Sequence, residues 1–332
     1  MRSMKVDLLT EDSVLPYLVD KKIISAEENP QLEVLTGGVS NVVLAISTAN
    51  KQLVLKQALA ELKVAEKWEA DQRRAIVEAN AISLFHRLSP RHVPNLIFLD
   101  PERFILILER VPIESTVWKT DLLSGVINPE IAAELGRILA SWHNFGEHDE
   151  KAREQFMEDS LFEQLRIDPF YRFIADRNPA LRPSIESLIS ELEGDKTTIV
   201  HGDFSPKNMM VGAKNEVYVL DFEVTHVGNP VFDLAFLTAH LLCKFFRASN
   251  AREEGLLKNC ADRFFEEYSK LRKVASSFGL HVALIALARI KGKSPVNYLS
   301  EDQQHLLVRH TEKILLAGGN VDLDNLFVKD GL

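Results

Sequence analysis

The sequence has few of the residues that mark a disulfide-bonded or metal-stabilised domain. Its only two cysteines, Cys243 and Cys260, form no CxxC or Cys/His pattern, so neither a disulfide framework nor a zinc site is predicted. With 15 Gly and 13 Pro in 332 residues, little of the chain has the composition of a disordered or low-complexity region. We therefore expect a chain that is folded nearly throughout, in a reducing compartment.

Long apolar runs and an excess of positive charge are also missing. No stretch of about 18 uncharged apolar residues suggests a membrane-spanning helix, and the N-terminal residues have no apolar core of the secretory type. The formal net charge of −9 opposes general binding to nucleic acid or anionic membranes, because carboxylates repel phosphate groups. We expect a soluble cytoplasmic protein, a monomer or a homodimer, without a nucleic-acid or membrane partner.

The order of the predicted elements indicates a small mixed lobe followed by a larger helical one. Short β-like segments separated by turn residues fill the chain up to residue 110, apart from helical patterns over 10–20 and 70–88. Beyond Pro112 the patterns are mostly helical. The predicted strands of the first lobe are Glu33–Thr36, Val42–Ser47, Gln52–Gln57, Leu96–Leu99 and Phe104–Leu108. In the second lobe the predicted helices cover 129–145, 180–193, 231–247, 251–273, 275–290 and 301–317, interrupted by a β-like segment, Tyr218–Phe222.

One stretch carries the chemistry: HGDFSPKNMMV at residues 201–211, followed by VLDFE at residues 219–223. It places a carboxylate, Asp203, five residues before an amide, Asn208, and ends a later hydrophobic strand on a second carboxylate, Asp221. These groups supply a base and two oxygen ligands, which a magnesium-bound nucleotide requires. A single Asp is more often a turn or cap residue, but the combined spacing favours a phosphoryl-transfer site.

The arrangement resembles the catalytic and metal-binding loops of the aminoglycoside phosphotransferase, choline kinase and methylthioribose kinase superfamily. This resemblance implies an α+β fold of the protein-kinase-like, two-lobed type. Residues 1–111 would form a nucleotide-binding lobe with a five-stranded antiparallel sheet and a helix, and residues 112–332 a mainly α-helical catalytic and acceptor-binding lobe. It also implies ATP-dependent phosphorylation of a small-molecule hydroxyl, with Asp203 as catalytic base and Mg held by Asn208, Asp221 and Glu223.

The first lobe contains further parts of that pattern. Lys56 ends the strand segment LVLK, and Glu78 follows on the predicted helix, as in the Lys–Glu pair that positions nucleotide phosphates. The segment TGGVSN departs from GxGxxG and fits either a phosphate loop or a plain hairpin turn. By the resemblance, the residues that bind the ATP cofactor are Lys56, Glu78, Gly37, Gly38, Ser40, Glu109 and Val111.

Three further residues are interpreted as structural. His201 is expected to organise the catalytic loop, and Asp233 resembles the helix acid that hydrogen-bonds the backbone of that loop. His143 is expected to be packed and hydrogen-bonded within the core. None of the three is predicted to react with the substrate.

The sequence leaves the acceptor open. Trp68 with Arg73 and Arg74 resembles a segment of methylthioribose kinases and indicates a sugar or thiosugar, although HGDFSPKN differs from the HGDLHTGS form of that family. The acidic segment 147–163 is either a wall for an aminoglycoside or for choline or ethanolamine, or a solvated face. A nucleotide-binding pseudokinase that acts as an interaction module is a further alternative. A protein kinase is disfavoured because Glu223 lies only ten residues before Asp233, too close for an activation segment.

Overall fold

The computed structural model describes residues 7–35, 40–61 and 70–329, without the side chain of Glu11. The chain divides into two compact units, residues 1–113 and 114–332. The first unit is a mixed α/β structure, and the second is mainly helical.

In its described residues, 7–35, 40–61 and 70–113, the first unit has five strands and two helices. The strands are β1 Gln31–Val34, β2 Asn41–Ser47, β3 Gln52–Ala58, β4 Leu96–Asp100 and β5 Ile105–Glu109, and the helices are α1 Glu11–Asp20 and α2 Arg74–Leu88. The strands form one antiparallel sheet in the order β1-β2-β3-β5-β4, which confirms the predicted five-stranded sheet. The predicted position of the first strand, Glu33–Thr36, is wrong. The strand begins at Gln31. In this register Leu32 lies opposite Ile46 of β2 and packs against the apolar core.

Helix α1 covers one face of this sheet. It begins after Thr10, whose hydroxyl accepts a hydrogen bond from the backbone of Ser13, the arrangement of a capping box. Val14 and Leu18 of α1 are fully buried in one cluster with apolar side chains of the sheet. This burial removes apolar surface from water and fixes the helix on the sheet.

Arg74, at the start of α2, is a buried structural cation. Its guanidinium is fully enclosed and donates hydrogen bonds to the carbonyls of Ser40 (2.5 Å), Leu59 (2.7 Å), Ala70 (3.1 Å) and Asp71 (3.1 Å). These carbonyls belong to separate loops around the sheet, so one side chain holds the loops together. These hydrogen bonds give Arg74 a structural role within this unit.

We expect Arg74→Met to lower the free energy of unfolding by roughly 3 kcal/mol, because it leaves buried carbonyls without donors. Chemical denaturation of the whole chain measures the change. The control is Arg73→Met, which removes a neighbouring guanidinium that is 73% exposed and paired with Asp71; a change of about 1 kcal/mol or less is expected for such a pair. Equal losses in the two variants would show that the buried hydrogen bonds of Arg74 do not stabilise the unit.

The second unit contains many helices and several short strands. Its helices are α3 Trp118–Leu123, α4 Pro129–His148, α5 Glu150–Glu154, α6 Ser160–Phe162, α7 Phe173–Arg177, α8 Arg182–Gly194, α9 Val231–Arg247, α10 Ala251–Ser269, α11 Phe278–Lys291, α12 Glu301–Ala317 and α13 Leu323–Leu326. Its strands are β6 Thr116–Val117, β7 Thr198–Val200, β8 Met209–Val211, β9 Val217–Val219 and β10 His226–Gly228. A π-helix, Glu163–Arg172, and a 3-10 turn, Pro206–Asn208, complete the unit.

Helix α9 lies in the core of this unit. All its residues except Arg247 are buried, and it packs against α10, α11 and α12. Helix α4 packs closely on α10 at Gly136, where a Cβ atom would overlap the backbone of Phe264. No helix in the described part of the chain is both long and apolar enough to cross a membrane.

Candidate active site

The loop between β7 and β8 carries the predicted catalytic residue, Asp203. Gly202 precedes it with a φ of 78°, a conformation that glycine adopts without strain. A Cβ atom at Gly202 would lie 2.6 Å from the carbonyl oxygen of Val224. Both the backbone angle and the space therefore require glycine at this turn.

Asp233 holds the backbone of this loop in place. Its buried carboxylate accepts hydrogen bonds from the backbone N–H of His201 (2.7 Å) and of Gly202 (2.8 Å). It also pairs with Nε2 of His143 (3.2 Å), whose Nδ1 lies 3.0 Å from the hydroxyl of Tyr268. Burial raises the pKa of Asp233, but the hydrogen bond from His143 and the neighbouring donors outweigh it and hold the pKa below its usual range. Asp233 and His143 thus occupy the structural positions expected from the sequence.

His201 joins the catalytic loop to the strand that leads to Asp221. Its Nδ1 accepts the backbone N–H of Asp203 (3.1 Å), and its Nε2 donates to the carbonyl of Leu220 (3.1 Å). This pattern assigns the proton of a neutral ring to Nε2. Burial lowers the pKa of His201, which agrees with a neutral imidazole acting as a structural link.

The carboxylate of Asp203 has two unlike oxygens. Its Oδ2 forms ion pairs with Nη2 of Arg166 (3.0 Å) and Nζ of Lys207 (2.8 Å). Its Oδ1 is buried and has no hydrogen-bond partner in the described part of the chain. Burial raises the pKa of Asp203, but the charges of Arg166 and Lys207 outweigh this effect and lower it overall. The group is therefore ionised near neutral pH, with one oxygen still able to accept a proton from a hydroxyl.

Sequence analysis missed Arg166 entirely. This arginine lies in the π-helix, which also contains Pro169, a residue that cannot donate the backbone hydrogen bond of a regular helix. Its Nε donates to the carbonyl of Gly202 (2.7 Å) and its Nη2 pairs with Asp203. No motif in the sequence links this arginine to the catalytic loop, since the contact depends on the tertiary structure.

The predicted metal ligands Asn208 and Asp221 come from two hydrogen-bonded segments. Nδ2 of Asn208 donates a hydrogen bond to the carbonyl of Asp203 (2.9 Å). This bond fixes the orientation of the amide group, so the other terminal atom of Asn208 is the oxygen. The backbone N–H of Leu220 donates to the carbonyl of Asn208 (2.9 Å), so Asp221 follows directly beside Asn208. With a φ of 70°, Asp221 leaves the extended conformation, which ends the strand at Val219 and contradicts the predicted β-segment Tyr218–Phe222.

The chemistry of this donor set fits a divalent cation. Asn208 offers an amide oxygen, while Asp221 and the buried Glu223 offer carboxylates on one loop. Hard oxygen ligands of this kind suit Mg²⁺ and Ca²⁺. Asp203, whose carbonyl accepts a hydrogen bond from Asn208, has a buried Oδ1 without a partner in the described chain. The second unit thus brings together the predicted base and the predicted metal ligands.

In the first unit the predicted phosphate-positioning pair is formed. Nζ of Lys56, on β3, lies 2.5 Å from Oε1 of Glu78 on α2, and the two side chains are 11% and 1% exposed. Glu109 ends β5 and donates its backbone N–H to the carbonyl of Asn95 (2.9 Å), and Val111 follows that strand. The ion pair of Lys56 and Glu78 is thus formed, and its role in positioning nucleotide phosphates stays a prediction.

The predicted phosphate loop is only partly visible. Ser40 is 8% exposed, and its carbonyl accepts hydrogen bonds from Arg74 and from the backbone N–H of Leu59. Gly37 and Gly38 lie outside the described residues.

The acidic segment 147–163 resembles an ion-paired surface more than a binding wall. Three of its carboxylates pair with basic residues of the same unit: Glu147 with Arg272, Asp159 with Lys196 (2.5 Å), and Glu163 with Arg172 (2.9 Å). Asp149 caps α5 through the backbone N–H of Ala152. The arrangement favours the interpretation as a surface face over a site for a cationic acceptor.

The fold and the loop of Asp203 define a phosphotransferase of the protein-kinase-like class. The chain belongs to the phosphotransferase enzyme family, whose sequence profile matches residues 31–273. The predictions of this superfamily, of its fold and of phosphotransferase activity are confirmed.

Curated sequences and solved structures agree with this assignment. Methylthioribose kinase of Bacillus cereus (strain G9842) is 25% identical over 299 residues, covering 79% of this chain and 74% of the relative. Amicoumacin kinase, solved with AMP-PNP and Ca²⁺, superposes with a TM-score of 0.57 at 14% identity over 96% of this chain and 100% of that chain. Choline kinase from Streptococcus pneumoniae gives a TM-score of 0.50 at 17% identity over 92% and 99% of the two chains.

Proposed function

We propose that this protein transfers the γ-phosphate of ATP to a hydroxyl group of a small molecule. The observation that carries the proposal is the carboxylate of Asp203, which is buried, ion-paired through Oδ2 and unpartnered at Oδ1 within the described residues. In the reaction a bond forms between the acceptor oxygen and the γ-phosphorus, and the bond from that phosphorus to the leaving oxygen of ADP breaks. Oδ1 of Asp203 receives the proton of the hydroxyl.

Magnesium is the second cofactor of this proposal. Asn208, Asp221 and Glu223 would hold it, and when bound it supplies positive charge that neutralises the nucleotide phosphates. The protein itself orients the acceptor hydroxyl with Asp203. Lys207, whose ammonium lies at Oδ2 of Asp203, adds positive charge beside the transferred group.

The two units are assigned different tasks in this proposal. The first binds the nucleotide, with Lys56 and Glu78 positioning its phosphates and the backbone of Glu109 and Val111 facing adenine. Ser40 and its neighbouring loop contact phosphate. The second unit carries the catalytic residues and the acceptor site. We also propose that the protein is a cytoplasmic monomer or homodimer that binds no nucleic acid.

For the acceptor we propose a sugar or thiosugar, supported by the similarity to methylthioribose kinase. The alternative is an aminoglycoside or a choline-type amino alcohol, which are substrates suggested by the names of the structural neighbours. The ion pairs of segment 147–163 argue against a cationic acceptor, because three of its carboxylates already pair with basic side chains of the same unit. A pseudokinase is disfavoured because the proposed base, metal ligands and phosphate lysine are all present.

The experiment is an assay of the whole protein with ATP and Mg²⁺ against panels of sugars, thiosugars, amino alcohols and aminoglycosides. Formation of ADP together with a product that has gained one phosphoryl group supports the proposal. ADP formation that no acceptor stimulates, with no phosphorylated product, would contradict it. Omitting Mg²⁺ is the control for dependence on the metal.

A further inference from the structure

A group of basic side chains in the second unit takes no part in the ion pairs of Asp203. We call Lys119, Lys244 and Arg289 the cationic cluster; they come from α3, α9 and α11. The ring of Tyr298, in the loop before α12, joins two of them: its centroid lies 5.8 Å from Nζ of Lys119 and 5.3 Å from Nζ of Lys244. Lys244 is only 2% exposed.

Among the residues that the structure describes, the cationic cluster forms no ion pair with a carboxylate, although the charge of Asp203 acts on Arg289 and opposes the lowering of its pKa by burial. Within the described residues, Nζ of Lys244 donates a hydrogen bond only to the carbonyl of His240 (3.2 Å), and Nη1 of Arg289 only to the hydroxyl of Ser294 (2.9 Å). In a chain with a net charge of −9, carboxylates to pair with these cations are abundant. Lys244 is buried while Lys119 and Arg289 are partly exposed, and placing a buried lysine beside two further cations without an ion-paired carboxylate is unfavourable. The arrangement therefore favours binding of an anion from outside.

Polar atoms around the cluster are also left without partners. Nε2 of His240, Nε of Arg289 and the hydroxyl of Tyr298 are buried and have no hydrogen-bond partner within the described residues. His240 is 7% exposed and stands one helical turn before Lys244 on α9. Buried polar groups are normally hydrogen-bonded. These three atoms belong to residues of the cationic cluster or to residues that contact it. They match a polar ligand that carries both negative charge and hydroxyl groups.

The electrostatics connect the cluster with the catalytic loop. Burial lowers the pKa of His240 well below its usual value, and the charges of Arg289, Lys244, Lys207 and Lys119 lower it further. Burial lowers the pKa of Lys244 to about 7, with the charges of Lys119 and Arg289 contributing. Lys207 also pairs with Asp203, and the charge of Asp203 opposes the lowering by burial of the pKa of Arg289, so the cluster and the catalytic loop interact electrostatically. An anion bound here would sit close to the proposed base.

We propose that the acceptor is an anionic hydroxyl compound whose phosphate or carboxylate group binds to Lys119, Lys244, Arg289 and Tyr298. This inference rests on the proposed kinase function and narrows its sugar acceptor to one that bears an acidic group. The anionic group anchors the molecule, and a hydroxyl elsewhere on it reaches Oδ1 of Asp203. The transferred phosphoryl group has its own cation in Lys207, which pairs with Asp203.

The test compares acceptors that differ in charge. Ribose 5-phosphate and glycerate are the anionic probes, ribose and methylthioribose the neutral ones, and kanamycin and choline the cationic ones. With ATP and Mg²⁺, we expect kcat/KM for an anionic probe to exceed that of every neutral and cationic probe at least tenfold. Comparison of ribose 5-phosphate with glycerate shows whether the site prefers a phosphate ester or a carboxylate. A preference below tenfold, or a preference for a neutral or cationic probe, would overturn the inference.

Lys244→Met supplies the second measurement. Methionine fills the space of the buried lysine without its charge, so the variant is expected to fold, which thermal unfolding verifies. We expect KM for the preferred anionic acceptor to rise at least tenfold, while KM for ATP is unchanged. The matched control is Lys270→Met, which removes a lysine that is 54% exposed and paired with Glu267 on α10. An equal effect of both variants would overturn the inference.

Calorimetry with the same probes separates this inference from the proposed function. Saturable binding of ribose 5-phosphate or glycerate that Lys244→Met abolishes, without phosphate transfer to any probe, would support the anion site and contradict the kinase function. Transfer to neutral sugars that Lys244→Met leaves unchanged would support the kinase function and overturn the anion site.

Discussion

Asp203→Asn is expected to reduce turnover by about 100-fold or more while Mg²⁺-ATP binding stays nearly unchanged. Asparagine keeps the shape of the side chain but cannot take the proton of the acceptor hydroxyl, and general-base catalysis contributes on roughly this scale. The buried position of Oδ1, together with the ion pairs that hold Oδ2 on Arg166 and Lys207, makes this oxygen the expected proton acceptor. Steady-state kinetics measure turnover, and calorimetry measures nucleotide binding.

The substitution also leaves Arg166 and Lys207 without their anion, so the fold of the variant must be verified by thermal unfolding. Asp176→Asn is the matched control, because it removes one carboxylate from an exposed pair with Arg182 in the same unit. Turnover above about half that of the original protein would remove Asp203 from the mechanism, since loss of the base cannot be so mild.

Asp221→Ala is expected to abolish magnesium-dependent nucleotide binding. The change deletes a carboxylate from the set that suits a hard divalent cation, and this aspartate directly follows the residue hydrogen-bonded to Asn208. Because Asp221 has a φ of 70°, alanine there adds backbone strain of about 1 kcal/mol. Asp221→Asn is therefore the second variant, since asparagine tolerates this conformation and removes only the charge.

Calorimetric titration with AMP-PNP, with and without Mg²⁺, measures the effect. Both Asp221 variants should lose the affinity that Mg²⁺ adds, whereas Asp262→Ala, which removes an exposed partner of Lys258, should keep it. Unchanged affinity for the magnesium complex in both Asp221 variants would refute the assignment of this carboxylate to the metal.

The catalytic loop could be recognised from sequence because its chemistry is local. The base and the amide are five residues apart, and the second carboxylate follows a later hydrophobic strand. Their spacing along the chain can therefore be recognised without knowledge of the tertiary structure. The structure ties these segments together by the hydrogen bonds from Asn208 to Asp203 and from Leu220 to Asn208. The role of each residue in the reaction stays a prediction for the variants above.

Arg166 could not be found in this way. It reaches the loop from a π-helix, and the hydrophobic pattern of that segment predicts neither this helix type nor the direction of one long side chain. Similarly, Arg73 and Arg74 are adjacent in sequence, yet one is exposed beside Asp71 and the other is buried among carbonyls. Trp68, the third member of that sequence resemblance, lies outside the described residues.

The sequence by itself determined the class of enzyme, the five-stranded sheet and the residues proposed for the base and metal. The alternation of apolar and polar residues in strands and the spacing of loop motifs depend on residues close together in the chain, so the sequence alone predicts them. Only the tertiary structure decided which charges are neutralised. Lys119, Lys244 and Arg289 are ordinary basic residues on separate helices. Folding places two of them against the ring of Tyr298, and none of the three forms an ion pair with a carboxylate of the described residues. Charge pairing depends on distance in space, which residue order does not specify.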